Sequence, residues 1–573
     1  MPPTEIAADF LGRRLFAHRP APPPWRPVCA CPTIGERPAT RTMQGDEPMP
    51  YLSPIRSRLS KMAGLALLGA VLSATTPGAF AQAKDAAPVV RIGDGALSGG
   101  SSEGVASFKN IPYAAPPVGP LRWRPPQPVT PWTGVRDATA LGPICEQIYN
   151  PKDTGVGPLP MSEDCLQLNV WSPDVAARKG KAPVMVWIHG GGHVNGSGTA
   201  ALYDGTNLAK QGVVVVTLNY RLGRLGFFAH PALDAEHPDE LKGSYGLMDT
   251  IAALKWVKAN IAKFGGDPGN VTVFGESAGG ISVTYLMISP MAKSLFQKAV
   301  VESGAGREHG AALKGADRYG IRSAEASGLA FAEANGITDA AMAAAELRAL
   351  PADVLMKAAP SSVDGGGPII DGKLFSEDPE QGFAAGRQMK IPFLIGSNSL
   401  EWPTAPSAAG AMGRAIAPVA AQHDAAVAAF GGEDAYNLRV VSDTVFTEPA
   451  HYLAVKAAKK GAPVWLYRFS FVSDSVKDTL KGAPHASERK YVFDTVNATE
   501  WPVNDKDEVV AQLMSRYWTN FAKTGNPNNV SLPHWPKFSA KGDMLLDFTT
   551  EATAEAEPTP GKAVNDFLGS LHK

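Results

Sequence analysis

The stretch Val271-Thr272-Val273-Phe274-Gly275-Glu276-Ser277-Ala278-Gly279-Gly280 decides how the rest of the chain is read. Val271 to Phe274 are apolar, β-branched or aromatic and follow Gly269-Asn270, the pattern of a short buried strand. Gly-x-Ser-x-Gly comes next, and the apolar spacing beyond it predicts a helix over Ala278–Ile288. A strand that reverses sharply into a helix forces the turn residue into a strained conformation, and small neighbours let the two backbones approach. The strain would lift the Ser277 hydroxyl above the sheet edge, at a helix N-terminus able to stabilise developing negative charge.

The pattern continues outward in both directions. Val184–Ile188 and Val213–Leu218 are continuous apolar runs of the kind buried on both faces of a sheet. Leu247, Ile251, Leu254, Val257, Ile261 and Phe264 recur in steps of three and four, which predicts an amphipathic helix. Val89–Ile92, Ala106–Tyr113, Lys298–Glu302, Ile391–Ile395 and Val464–Phe471 read as further strands, and Val509–Lys523 as a helix stopped by Gly525-Asn526-Pro527. Alternation of strand and helix predicts an α/β fold: a large, mostly parallel central sheet with helices on both faces. Ala-rich segments at 310–359 and 408–429 interrupt it and read as cap helices inserted over the ligand end of the sheet.

The 573-residue chain is 44% hydrophobic and 19% charged, with a formal net charge of −1. No basic run interleaved with aromatics occurs, which argues against a nucleic-acid partner. Residues 1–42 are rich in Pro and Arg and lack periodicity, consistent with an over-long start or an unusual leader. Arg56, Arg58 and Lys61 then precede the apolar run Met62–Ala74, and Ala79-Phe80-Ala81 follows as a small-x-small cleavage site. This order predicts a secretory signal peptide, too short to span a bilayer, cleaved after Ala81. The domain reading is therefore a leader and signal over 1–81 and a single domain over 82–573, with no transmembrane segment after cleavage. Cys145 and Cys165 would remain as a pair twenty residues apart. In an exported chain they read as a disulfide, with two free buried thiols as the alternative.

A serine nucleophile needs a base within hydrogen-bond reach, a carboxylate to orient the base, and N–H donors for the oxyanion. The run His189-Gly190-Gly191-Gly192-His193 directly after the strand Val184–Ile188 would present free backbone N–H groups. Together with the N–H of Ala278 these suit an oxyanion hole. His485, in the loop Gly482-Ala483-Pro484-His485, is placed to overhang the turn; His451 sits on an apolar helical face and reads as packed. Glu401 follows the strand Ile391–Ile395 and a turn, as a catalytic acid would, and Asp371 and Glu377 are the other contenders.

The chain resembles the type B carboxylesterases, the family of cholinesterases and bacterial para-nitrobenzyl esterases, over nearly all of residues 82–573. The resemblance rests on Asn110-Ile111-Pro112-Tyr113, Ser162-Glu163-Asp164-Cys165, His189–Gly192, Asn219-Tyr220-Arg221-Leu222-Gly223, Ser244-Tyr245-Gly246-Leu247-Met248-Asp249, Gly275–Gly280 and Phe521–Pro527. It implies an α/β-hydrolase fold and a cofactor-free, metal-free serine esterase, exported on the signal reading above, that acts on small-molecule esters through an acyl-enzyme. It further implies Ser277 as nucleophile, Glu401 as acid, His485 as base, and Gly191, Gly192 and Ala278 as oxyanion donors. Glu276 and Ser303 match supporting residues, and Cys145–Cys165 an N-terminal disulfide. An amidase, a lactonase or a non-catalytic binding protein of the same fold are the rivals. The chain departs from the family where Trp402 replaces Gly after the acid and where His193 replaces an aromatic after the glycines. No tryptophan precedes Cys165 at the choline-binding spacing, which disfavours choline esters. His193, Arg307, His309, Arg489 and Lys490 suggest a cationic rim that would favour anionic esters.

Overall fold

Eleven strands make one sheet in this computed structural model, which describes residues 87–148, 160–173, 181–315, 319–357, 367–403, 410–498 and 501–572. The leader and signal reading, residues 1–81, lies outside the described residues. In chain order the strands are β1 (Gly100–Ser102), β2 (Val105–Pro112), β3 (Gln167–Pro173), β4 (Ala182–Ile188), β5 (Val214–Leu218), β6 (Gly266–Glu276), β7 (Lys298–Glu302), β8 (Phe393–Asn398), β9 (Val464–Phe469), β10 (Met544–Phe548) and β11 (Ala554–Pro558). Across the sheet they run β11-β10-β9-β8-β7-β6-β4-β5-β3-β2-β1.

Every pair from β10 to β5 is parallel, as the alternating pattern predicts. Both edges are antiparallel: β5–β3, β3–β2, β2–β1 and β10–β11. Two of these pairs, β1–β2 and β10–β11, are consecutive strands joined by short turns. Glu103 and Gly104 between β1 and β2 both take positive φ, 54° and 77°, the form that suits a two-residue turn.

The side-chain period of two sorts the central strands into two cores. Val184, Val186, Ile188, Val271, Val273, Ala299 and Val301 join one cluster with Leu247, Ile251, Leu254 and Val257 of helix α1 (Tyr245–Asn260) and Val283, Leu286 and Met287 of helix α2 (Ala278–Ile288). Met185, Trp187, Phe274, Val300 and Leu394 face the other way, onto Val510, Met514, Tyr517, Trp518 and Phe521 of helix α3 (Asp505–Thr524). Full burial on both faces explains why these strands read as unbroken apolar runs. Helix α3 begins with a capping box from Asn504 and Asp507 and ends at Gly525 with φ 77°.

Residues of the shared sequence motifs hold the loops around this frame. Arg221 grips Asp249 with two hydrogen bonds of 2.8 and 2.7 Å, both side chains buried, and Tyr113 donates to the Asn219 carbonyl at 2.6 Å. Cys145 and Cys165 form a disulfide.

The two Ala-rich insertions fall between β7 and β8 and between β8 and β9. Helices 324–334, 343–349 and 352–357 make up the first, and Gly328 lies so close to the Ala229 carbonyl that a β-carbon would sit 1.9 Å from it. Helices 410–420 and 423–430 of the second build a small separate core with the C-terminal helix 562–570, through Val419, Ala426, Phe430, Val564 and Leu568. A single π-helical turn, Asp443–Thr447, then carries the chain back toward the sheet.

Parallel register brings the strand ends to one edge. Gly275 pairs with Ile188, and Glu276, Glu302, Gly396 and Tyr467 form one row across β6, β7, β8 and β9. The loops that leave this row are those bearing the residues singled out from sequence.

Candidate active site

Ser277 stands between β6 and α2 with φ 54° and ψ −124°, a backbone conformation that costs a non-glycine residue of order 1–3 kcal/mol. The surroundings hold it there. Its N–H donates to the Glu302 carbonyl at 2.9 Å, and its carbonyl accepts from Ile281 at 2.9 Å. A β-carbon on Gly279 would lie 1.9 Å from the Ile188 carbonyl, and one on Gly275 would lie 2.6 Å from the Gly279 carbon. Only glycine at both positions allows this crossing of strand and helix.

His485 reaches Ser277 from the far side of β8. Its Nε2 lies 2.9 Å from Ser277 Oγ and its Nδ1 lies 2.7 Å from Glu401 Oε2. Glu401 is 2% exposed, and its other oxygen accepts from the Ser303 hydroxyl at 2.6 Å and the Asn398 N–H at 2.7 Å. The histidine loop is anchored on both flanks. The His485 N–H donates to the Glu401 carbonyl at 3.0 Å and Asn398 Nδ2 to the Pro484 carbonyl at 2.8 Å. Downstream, Phe493 packs among Trp187 and Phe274.

The carboxylates make this side of the serine strongly acidic. Glu276 Oε1 lies 3.2 Å from His485 Nε2, and Glu488, fully buried, accepts from Asn398 Nδ2 at 2.6 Å. Burial alone would lower the His485 pKa. Glu276, Glu401 and Glu488 outweigh it and raise the imidazole to about 9. Burial, reinforced by Glu276 and Glu401, lifts the Glu488 carboxyl to about 8. Glu302 is also pushed well above the ordinary range by burial and by Glu488, and it accepts from Trp518 Nε1 at 2.7 Å. Arg489 adds positive charge to this cluster. It donates to Tyr203 Oη at 2.7 Å and lies 3.9 Å from Glu276.

On the opposite side of Ser277 the loop after β4 carries the glycines. Gly191 and Gly192 take φ of 100° and 62°, and Gly191 O accepts from the N–H groups of Val194 and Asn195, both at 3.0 Å. A β-carbon on Gly190 would lie 2.7 Å from Glu276 Oε2 and 3.0 Å from Ser277 Cβ, so this loop rests against the serine itself. Ala278 is the first residue of α2, where a backbone N–H has no partner within the helix.

The sequence-derived set thus converges, and the competing acids do not join it. Asp371 Oδ1 caps its own turn, accepting from Lys373, Leu374 and Phe375 at 3.0, 2.8 and 3.1 Å, and Glu377 pairs with Arg387. His451 is packed as expected, on Phe538, with Nε2 2.8 Å from Asp543. Trp402 leaves the acid undisturbed: its N–H donates to Ser442 Oγ at 2.9 Å, and the residue, 36% exposed, brings its ring 5.9 Å from His485.

The cationic rim is not there. His193 is buried against Ser282. Both Glu448 oxygens accept from Arg307 at 2.6 Å, and its guanidinium lies 3.7 Å over Tyr452. His309 stacks on Tyr319 with Nδ1 2.9 Å from Asp378. Lys490 lies 3.8 Å over Trp501, and burial lowers its pKa to about 8. Sequence shows where charges lie along the chain but not the partners, up to 141 residues away for Arg307, that neutralise them.

Asn398, Glu488, Phe446 and Ser282 were missed as site residues. Phe446 comes from the π-helical turn and brings its ring 4.7 Å from His485. Only Glu488 had a signal, three residues past the histidine.

Comparison with known proteins shows the family. A profile of the Carboxylesterase family matches residues 86–408 and 433–565. The chain belongs to the carboxylesterase family. The fumonisin B1 esterase of Sphingopyxis macrogoltabida is 36% identical over 507 residues, 83% of this chain and 89% of that protein. The para-nitrobenzyl esterase of Bacillus subtilis (strain 168) is 36% identical over 495 residues, 82% of this chain and 96% of that protein. A solved structure titled PNB esterase superposes with a TM-score of 0.72 at 34% identity, covering 84% of this chain and 99% of that one. This carboxylesterase is accordingly a carboxylic-ester hydrolase of the α/β-hydrolase fold. Among the described residues no helix is long and apolar enough to cross a membrane.

Proposed function

We propose that this hydrolase works through an acyl-enzyme on Ser277, with His485 as general base and Glu401 as its orienting acid. The hydrogen-bonded chain Ser277–His485–Glu401, at 2.9 and 2.7 Å, carries the reading. Ser277 Oγ attacks the ester carbonyl as His485 Nε2 takes its proton, and the carbonyl oxygen becomes an oxyanion. The N–H groups of Gly191, Gly192 and Ala278 receive that charge, and loss of one such donor typically costs 10²–10³ in kcat. Collapse of the tetrahedral intermediate expels the alcohol, protonated by His485, and leaves the acyl group on Ser277. Water then enters, gives its proton to His485, and releases the acid and the free serine. Ser303 and the Asn398 N–H hold Glu401 so that its second oxygen faces His485. Glu276 adds negative charge beside the imidazolium formed in each half-reaction.

The substrate reading is a neutral small-molecule ester. It is supported by the internal pairing of the basic side chains and by the apolar rings of Trp402 and Phe446 beside His485. We also propose export with cleavage after Ala81, supported by the basic, apolar, small-residue order of 56–81 and by the Cys145–Cys165 disulfide.

Ser277→Ala tests the nucleophile. Hydrolysis of p-nitrophenyl butyrate should fall by about 10⁵-fold or more while the circular dichroism spectrum is unchanged. Turnover within tenfold of the parent enzyme would refute the assignment.

A further inference from the structure

The proposed oxyanion donors belong to two separate pieces of backbone. Gly191 and Gly192 lie on the loop after β4, and Ala278 opens α2. Three N–H groups can serve one oxygen only if loop and helix keep their spacing within about 0.5 Å. Glycines 190–192 have no side chains with which to hold it. The next residue does.

His193 Nε2 lies 3.0 Å from Ser282 Oγ, and Ser282 Oγ donates to the Ala278 carbonyl at 2.9 Å. A serine hydroxyl carries one proton. With that proton on Ala278 O, Ser282 can only accept from the ring, so Nε2 of His193 is the protonated nitrogen. The rest of the residue is equally fixed. Its carbonyl accepts from the Gly223 N–H at 2.8 Å, and its ring packs 5.0 Å from Phe227 and 6.3 Å from Tyr220. Its φ is 61°, a left-handed conformation in which histidine is enriched and bulky side chains are uncommon. The residue is 2% exposed. Burial, with His189 adding to it and a hydrogen bond to the Ala278 backbone opposing it, holds the imidazole pKa down at about 3, so the ring keeps its neutral, single-donor form.

We infer that His193 is a positioning residue: through Ser282 and the Ala278 backbone it ties the glycine loop to the first turn of α2 and so sets the distance between the two halves of the oxyanion hole. The inference rests on the oxyanion reading above. A phenylalanine could fill the same space but could not donate to Ser282.

The test compares His193→Phe, His193→Gln and Ser282→Ala on p-nitrophenyl butyrate. Two inhibitors accompany it. An aryl trifluoromethyl ketone is attacked by Ser277 Oγ, which passes its proton to His485 and turns the carbonyl oxygen into an oxyanion in the hole. The matching carbinol has no electrophilic carbonyl and reports ground-state binding alone. Misplacement of about 1 Å can cost 10²-fold. His193→Phe and Ser282→Ala should therefore lose about 10- to 100-fold in kcat, with KM within about twofold. The ketone should weaken by the same factor and the carbinol should not. Glutamine can place an N–H near the position of Nε2, so His193→Gln should recover most of kcat. Wild-type kcat in His193→Phe, equal weakening of ketone and carbinol, or a Gln variant as slow as a stably folded Phe variant would overturn the inference. If His193→Phe does not fold, Ser282→Ala reads the same bond with a smaller change. Failure of the parent oxyanion reading looks different, because the ketone would then bind the wild-type enzyme no tighter than the carbinol does.

Discussion

His485 and His193 are both packed against the nucleophile helix or its serine, and their environments drive them in opposite directions. His485 sits among Glu276, Glu401 and Glu488, and its pKa rises to about 9. His193 has aromatic rings, His189, a hydroxyl and the Ala278 backbone for neighbours, and its pKa falls to about 3. Burial lowers both. The sign is decided by charged partners, which one side of Ser277 has and the other lacks. An acidic side suits a group that must carry a proton during the reaction. The glycine-rich side offers an oxyanion backbone N–H dipoles.

Removing charge from the acidic side should have the largest effect. Glu401→Gln is expected to lower kcat by about 10⁴-fold, the scale of triad-acid loss in a serine protease. Asp371→Asn, which only disturbs a turn, should stay within a few-fold in the same assay. Reversal of the two results would move the acid to Asp371. Ser303→Ala removes one hydrogen bond to Glu401 Oε1, a bond to a charged group worth roughly 1.5–3 kcal/mol, and should cost about tenfold or more in kcat. An unchanged kcat would show that the Asn398 N–H suffices to hold the acid.

The next effect is on pH dependence. A base must be unprotonated to accept the serine proton, so kcat/KM should rise with pH as His485 loses its proton, with a midpoint above that of free histidine. Glu276→Gln removes a charge that favours imidazolium. Its midpoint should move toward lower pH, by about one unit, a shift equivalent to 1.36 kcal/mol. A midpoint that stays in place would remove Glu276 from the electrostatics of the base. The smallest effect is expected from salt. With the basic residues paired, esters carrying a free carboxylate should gain no advantage over neutral isosteres at low ionic strength. A kcat/KM advantage that fades as salt rises would mean that positive charge reaches the cleft after all.

The parts of this account that were legible in sequence are local or repeat with a period. Ala278–Ile288 and Lys298–Glu302 fall at the boundaries their patterns predict, since both are fully packed elements whose neighbours end them sharply. Strand β6 is longer than Val271–Phe274 because its irregular start, around Gly266, pairs beside β4 without an apolar pattern. The outer strands β1, β10 and β11 were missed because they are short and partly exposed. Glu401 could be ranked but not separated from Asp371, since the decision lies in which carboxylate meets a histidine 84 residues away. The Trp518–Glu302 bond spans 216 residues, and nothing in either neighbourhood announces it. His193 was visible as a departure, yet sequence suggested an exposed charge. Its packing makes it a neutral donor.

The most direct test of the central claim is rapid quenching of the enzyme during turnover of a p-nitrophenyl ester with a slowly hydrolysed acyl group, followed by peptide mass mapping. The account predicts a burst of p-nitrophenol close to one equivalent per chain and a single acylated residue, Ser277. A burst with the acyl group on another side chain, or turnover with no acylated peptide under conditions where deacylation limits the rate, would contradict it.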